Sequence, residues 1–248
     1  MRPEELEYLY QLEETFWWFS GMRRITDAVV ERRLKNDRGL KILDAGCGTG
    51  FNVAHYSRKH PENEVLGLDI SADAIAWDRK RGLRLLCQAS VTDIPFQSST
   101  FDLVTSFEVI CQGARPPVDE GLREMLRVLK PGGFLFVRVP AYRWMRSSHD
   151  IDVDTNRRFT TGEFASLVEK SGLQVDWISY ANCFLFPTVI VRRLLKAVGI
   201  GKGSDVRPLP GPVNAMLEAV LFFEATFFRY GIHLPFGLSI ICLARKPE

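Results

Sequence analysis

The chain has 248 residues, a mass of 28.2 kDa, 46% hydrophobic residues and a formal net charge of +2. That length and apolar content suit one large α/β domain, or a domain carrying a sizeable insertion. The near-neutral balance supplies no strong field for a polyanion, so nucleic acid is not an expected partner.

In chain order, residues 3–35 read as helical, with Pro3 in a first turn and Met22, Ile25 and Val29 at helical spacing. Leu40–Asp44 is a short apolar strand running into Asp44-Ala-Gly46-Cys-Gly48-Thr-Gly50. A helix follows, then a second strand over Glu64–Asp69. Ser71 is placed to cap the next helix, which Gly82 ends. Leu83–Gln88 and Phe101–Phe107 are the third and fourth strands. Leu122, Met125, Leu126 and Leu129 mark an amphipathic helix stopped by Pro131-Gly132-Gly133, and Phe134–Val139 is the fifth strand. Thr160 with Glu163 makes a capping box for a helix reaching Gly172. Leu173–Ser179 is the sixth strand and Leu238–Ala244 the last. Strands separated by helices predict a mostly parallel sheet with right-handed crossovers.

The glycine loop between a strand and a helix is a place where backbone can approach a ligand closely. Two details separate it from a dinucleotide site. Phe51 stands where that fingerprint needs its third glycine, and Asp44 would repel a pyrophosphate. A carboxylate there suits a cationic ligand, as S-adenosylmethionine is through its ammonium and sulfonium. The run Asp44–Gly50 resembles the first motif of the class I S-adenosylmethionine-dependent methyltransferases, of the type 11-like kind. The resemblance continues through Gly67-Leu-Asp69-Ile70, Ala89–Phe96, Phe101-Asp-Leu-Val and Leu126–Gly133, and covers about residues 38–180 plus the last strand.

That resemblance implies a Rossmann-like three-layer α/β sandwich whose mostly parallel seven-stranded sheet has an antiparallel last strand. It also implies S-adenosyl-L-methionine as cofactor, transfer of its methyl group, and roles for particular residues. Asp44, Gly46, Gly48 and Gly50 form the loop. Asp69 accepts the ribose hydroxyls with Ile70 against the adenine, and Asp93 accepts from the adenine amino group with Ile94 beside it. Phe107 and Glu108 face the methionine moiety and the methyl group.

Three further segments stand out. Glu13–Phe19 followed by Arg23-Arg24 is either an amphipathic helix covering the sheet edge or a lid, with Arg23 reaching the cofactor carboxylate. This aromatic-then-arginine opening is similar to a bacterial methyltransferase subgroup associated with surface polysaccharide or lipid biosynthesis. After the fifth strand, His149 is placed to act as a general base with Asp150 affecting it, and Arg157 and Arg158 either clamp an anionic acceptor or pair with acids. Residues 213–228 are apolar almost all round, and 181–236 carries six Lys/Arg against three Asp/Glu. That segment is either a helical subdomain packed on the sheet or a pocket for a hydrophobic acceptor that touches a membrane surface.

The resulting division is a helical lid at 1–37, the cofactor domain at 38–180 and 237–248, and the helical insertion at 181–236. Cys47, Cys87, Cys111, Cys183 and Cys242 form no Cys-x-x-Cys pair and read as reduced, mostly buried thiols. The acidic, aromatic opening lacks a secretory pattern, and no apolar stretch reaches the ~20 residues of a membrane span. The expectation is therefore a cytoplasmic enzyme, peripheral at the inner membrane if 181–236 makes contact, with no metal. It acts on a small or lipid- or saccharide-linked acceptor, at oxygen. The competing readings are a catalytically silent S-adenosylmethionine-binding scaffold and, disfavoured by Asp44 and Phe51, an NAD-linked oxidoreductase.

Overall fold

The computed structural model describes residues 3–34, 38–113, 117–146, 150, 154–197 and 209–248. Seven strands form one sheet: β1 (Lys41–Ala45), β2 (Glu64–Asp69), β3 (Leu86–Gln88), β4 (Phe101–Phe107), β5 (Leu129–Pro140), β6 (Gln174–Ala181) and β7 (Ser239–Arg245). Their spatial order is β3-β2-β1-β4-β5-β7-β6. β1 to β5 pair in parallel, while β7 runs antiparallel to both β5 and β6. The helices are α1 (Pro3–Leu12), α2 (Trp17–Leu34), α3 (Phe51–Lys59), α4 (Ala72–Lys80), α5 (Val118–Val128), α6 (Thr161–Lys170), α7 (Phe186–Ala197) and α8 (Gly211–Arg229), with a 3₁₀ turn at Arg143–Met145. All five cysteines are free thiols.

Strand alternation divides the core between two faces. Leu43, Val104, Val137 and Val139 join α5 and α6 on one side. Their neighbours Ile42, Leu103 and Phe136 join α2 and α8 on the other. This is the three-layer arrangement, and every parallel strand delivers its carboxyl end to the same edge.

Two local expectations need correction. The N-terminal segment is two helices, because the chain breaks after Leu12 and the N–H groups of Thr15 and Phe16 both turn back to the Leu12 carbonyl (3.1 and 2.8 Å). Pro131-Gly132-Gly133 is not a loop before the fifth strand. The helix ends at Val128, Leu129 is already extended, and pairing to β4 slips between Phe101↔Leu129 and Leu103↔Phe134. The Pro-Gly-Gly run is therefore an irregular part of β5, where a residue lacking an N–H costs the ladder least. Ser71 caps α4 by accepting from the Ala74 N–H, as its sequence position predicts. The Thr160 capping box is half formed: its hydroxyl accepts from the Glu163 N–H, but the Glu163 carboxylate goes to Arg143 at 2.6 Å.

The sequence segments 1–37 and 181–236 meet through α2 and α8. Asn214 joins Trp17 and Thr15 through its amide (3.0 and 2.9 Å), and Ser20 donates to Glu218. Lower down, Glu224 is buried and accepts the N–H groups of Asn182, Cys183 and Phe184 at 2.5, 2.8 and 3.2 Å. The helices approach so closely that a Cβ on Gly21 would lie 2.5 Å from Leu221 Cβ. Gly21→Ala should therefore destabilise the protein by about 1–3 kcal/mol, the usual cost of overpacking. A urea midpoint indistinguishable from wild type would show that the contact is not tight.

Candidate cofactor and acceptor site

The glycine loop leaves β1 with Gly46, Gly48 and Gly50 all at left-handed φ of 88°, 58° and 71°. They are not equivalent. A Cβ at Gly46 would strike Val109 at 2.2 Å, and one at Gly50 would strike Asp78 Oδ1 at 2.3 Å. At Gly48 nothing lies within 4 Å. The close approach of ligand to backbone, inferred from sequence for all three, has open space only at Gly48; the other two glycines are required by packing inside the protein.

Asp69 closes β2 beside that opening. Its Oδ2 accepts from the Gly48 N–H and its Oδ1 from the Ser71 N–H, both at 2.9 Å. Two bonds leave lone pairs for two more donors. Burial pushes its pKa up, with the two N–H groups opposing. Ile70 follows with 71% of its surface exposed, an unusual setting for isoleucine. Asp93 is exposed on the turn after β3. Ile94 is occupied elsewhere: its side chain is in the core, its N–H goes to Glu124 at 2.9 Å and its carbonyl to Arg127 at 2.7 Å.

Asp44 is fully buried. Thr105 donates to its Oδ1 at 2.8 Å, while Oδ2 has no partner among the described residues. Beneath the loop, the Cys47 thiol donates to Asp78 Oδ2 at 3.2 Å, and Asp78 Oδ1 is likewise unpartnered. Burial pushes both carboxyls up to about 7. Between the ordinary 3.8 and that value the folded protein keeps protons that the unfolded chain has released. Stability then falls as pH rises through this window. The unfolding free energy should rise by roughly 1 kcal/mol as pH is lowered from 8 to 6, and Asp78→Asn should flatten that rise. Urea titrations at stepped pH measure it; a wild-type profile that falls over this interval would refute it.

Over the loop sits the turn between α1 and α2. Arg23 donates to the Glu13 carbonyl at 2.9 Å and lies 4.1 Å above the Phe51 ring. Burial lowers its pKa to about 10, with Glu13 opposing. The Glu13 carboxylate accepts from the Thr49 hydroxyl and from Arg81 Nη2 at 3.0 Å. Glu13 heads the candidate lid segment in the sequence but carried no role of its own there; its place directly before the aromatic cluster was the available signal. Of that cluster Phe16 is the buried ring, while Trp17 and Trp18 are half-buried against the α2–α8 core.

Phe107 and Glu108 leave β4 at the same edge. The Arg138 guanidinium lies 5.1 Å from the Phe107 ring and donates to Glu108 Oε1 at 3.2 Å. Glu108 is therefore a compensated acid at left-handed φ of 63°.

The second group expected from sequence is only partly assembled. His149 lies outside the described residues. Asp150 is buried against Arg158 (2.6 and 3.1 Å), which also donates to the Ala141 carbonyl at 2.8 Å. This ion pair braces the chain after β5 and leaves Arg158 committed within the protein. Arg157 lies 3.7 Å from Glu163 at the start of α6, and 4.9 Å over the Phe159 ring. Asp150→Ala should cost about 3 kcal/mol or more, because it strands a buried guanidinium. Chemical denaturation tests this, and a loss below about 1 kcal/mol would demote the pair to a surface bridge. Among the described residues no His/Cys/Asp/Glu group has metal-binding geometry.

An open, mostly parallel α/β sheet with a glycine loop after β1 and an acid ending β2 at its carboxyl edge defines a Rossmann-like fold. Residues 43–137 match the family model for a methyltransferase domain. The demethylmenaquinone methyltransferase of Staphylococcus carnosus is 29% identical over 197 residues, 75% of this chain and 78% of that protein. The 24-methylenesterol C-methyltransferase 3 of Arabidopsis thaliana is 32% identical over 142 residues, 54% of this chain and 38% of that one. The solved geranyl diphosphate C-methyltransferase of Streptomyces coelicolor, complexed with S-adenosyl-L-homocysteine, superposes with TM-score 0.57 at 19% identity. That match covers 89% of this chain and 77% of that one. The methyltransferase domain over residues 43–137 and these methyltransferase relatives support a class I S-adenosylmethionine-dependent methyltransferase, with S-adenosyl-L-methionine as its cofactor.

Proposed function

We propose that the crevice along the carboxyl ends of β1, β2 and β4 holds S-adenosylmethionine and passes its methyl group to a lipidic small-molecule acceptor. The observation that carries the cofactor half is the juxtaposition of Gly48, Asp69 and Ile70: an open glycine, a carboxylate with spare lone pairs, and an exposed apolar surface. In this reading Asp69 receives the ribose hydroxyls, Ile70 lies on the adenine and Asp93 accepts from its amino group. Arg23 faces the cofactor carboxylate, and the unpartnered Oδ2 of Asp44 favours positive charge beyond the loop. Phe107 and Glu108 border the methyl group.

When bound, the cofactor supplies a methyl group already activated on a sulfonium. The protein's own work is alignment and exclusion of water. Arg23, Glu13 and Thr49 close the N-terminal turn over the glycine loop, and the Arg138–Glu108 pair holds the β4 edge in place.

The lipidic acceptor is supported by exposed apolar surface on α8. Phe223 is 57% exposed and packs tilted on Phe184 and edge-on to Phe227 (5.6 and 5.2 Å), and Met216 continues that face of α8. No helix among the described residues is long and apolar enough to cross a membrane. The reading therefore takes α8 as a surface that rests on lipid while the crevice receives an acceptor from it. The relatives' names point the same way, toward a quinone, a sterol and a prenyl diphosphate. Two of those names specify carbon, which stands beside the oxygen inferred from sequence as the reacting atom. A hydroxyl acceptor must lose a proton to a nearby base, the role given to His149.

Calorimetry with S-adenosylmethionine should show saturable binding, and Asp69→Ala should weaken it by about 1–3 kcal/mol, because the donors that it serves lose their acceptor. No heat with the wild-type protein would overturn the reading. Comparable binding of NADH would favour the oxidoreductase instead.

A further inference from the structure

Five non-glycine residues among those described have left-handed backbone, and three of them close strands at the crevice edge. Glu108 follows β4, Tyr142 (φ 54°) follows β5 by two residues, and Asn182 (φ 61°) follows β6 directly. Such conformations are costly for residues with a Cβ and tend to persist at ligand clamps. Glu108 borders the proposed methyl position. Tyr142 and Asn182 belong to a second feature of the same edge.

Tyr142 is the centre of a group of rings. It stacks on Tyr180 with centroids 5.0 Å apart and planes at 18°, and on Trp144 at 5.7 Å and 28°. Phe186 lies 5.8 Å from Tyr142, and Phe236 lies 5.5 Å from Phe186. Tyr180 and Phe186 are buried, whereas Trp144 is 64% exposed at the end of the stack. A near-parallel stack that ends in an exposed indole has an unfilled place for one more flat ring. Beside it, the N–H of Phe186 bonds the Cys183 carbonyl. The preceding residue, Asn182, is fully buried with neither amide atom hydrogen-bonded among the described residues. A buried amide left unsatisfied is costly and fits a polar atom supplied by a ligand.

We propose that Trp144, Tyr142 and Tyr180 form the acceptor platform and select a planar, conjugated ring, with Asn182 as the polar handle. The proposal rests on the methyl-transfer reading above and adds the substrate class. Tyr142 follows β5 and Glu108 follows β4, neighbouring parallel strands that end at the same edge of the sheet. A saturated ring of the same size offers equal apolar area but no π-face, and the platform distinguishes the two.

The test compares 2-naphthol with decahydro-2-naphthol, titrated calorimetrically into full-length protein saturated with S-adenosyl-L-homocysteine. The wild type should bind 2-naphthol about 5- to 10-fold more tightly, which is about 1–1.4 kcal/mol and within the worth of a stacking interaction. Trp144→Ala should abolish the preference, and Trp144→Phe should restore most of it. S-adenosyl-L-homocysteine affinity should stay unchanged in both variants, and exposure of Trp144 makes unfolding an unsuitable explanation for a loss. Equal affinity for the two alcohols, no 2-naphthol binding, or a preference that survives Trp144→Ala would overturn the platform. Failure of S-adenosyl-L-homocysteine to bind the wild type would instead remove the methyl-transfer reading, and the platform with it.

Discussion

The Asp69 carboxylate joins two turns at the opening, completing the hold begun by the Leu68 carbonyl, which takes the N–H groups of Gly46 and Cys47. One oxygen takes the N–H of Gly48 and the other that of Ser71. The glycine loop is thereby fixed to the start of α4, and both turns face the same opening. Burial works against keeping this group charged, and the two N–H donors offset that cost. The same geometry explains why Gly48 stays open while Gly46 and Gly50 are filled in. The loop is packed from below by Val109 and Asp78 and held from the side by Asp69, so only its outer turn is free to receive a ligand.

The second constraint is topological. Parallel strands discharge their loops at one edge, and the antiparallel β7 brings the chain back between β5 and β6. The return carries α7 and α8 with it. Packing α8 against α2 then ties this late segment to the N-terminal one through Gly21, Ser20 and Asn214. The two parts that sequence alternation does not account for therefore support one another on a single face. Glu224 secures the far end by taking three consecutive N–H groups after β6, so that turn is held by a buried carboxylate. An acid in an almost wholly apolar helix looks out of place in sequence, and its function is backbone capping across forty residues.

What sequence could show followed from locality. Strand alternation, the Ser71 cap and the glycine loop are set by residues within a few positions, and the structure contains each of them. The misjudged features depend on partners far away in the chain. The Pro-Gly-Gly run ends a helix by local rules, yet β4 and β7 on either side recruit it into a strand. Ile94 lies next to Asp93 in a motif, but Glu124 and Arg127, thirty residues on, take its backbone. From sequence Arg157 and Arg158 could clamp an anion or pair with acids at the start of the next helix; Arg158 instead pairs with Asp150, which precedes it. The buried Asp150 carboxylate holds the Arg158 guanidinium at 2.6 Å. The ring stack around Tyr142 was invisible, because its members come from three strand ends.

Phe51 illustrates how a negative sign in sequence becomes a positive one in structure. It was read only as the absence of the third glycine of a dinucleotide loop. In the fold its ring carries two guanidinium groups, Arg23 at 4.1 Å and Arg81 at 4.9 Å. Both arginines also bond Glu13, one through the backbone carbonyl and the other through the carboxylate. The ring thus aligns two cations that together hold an acid over the glycine loop. A glycine at this position would remove the surface on which both side chains rest, and the N-terminal turn would lose its register with Thr49. The departure from a dinucleotide site and the closure of the N-terminal turn are consequences of the same side chain. The residue that departs from the dinucleotide fingerprint is also the one on which the N-terminal turn rests.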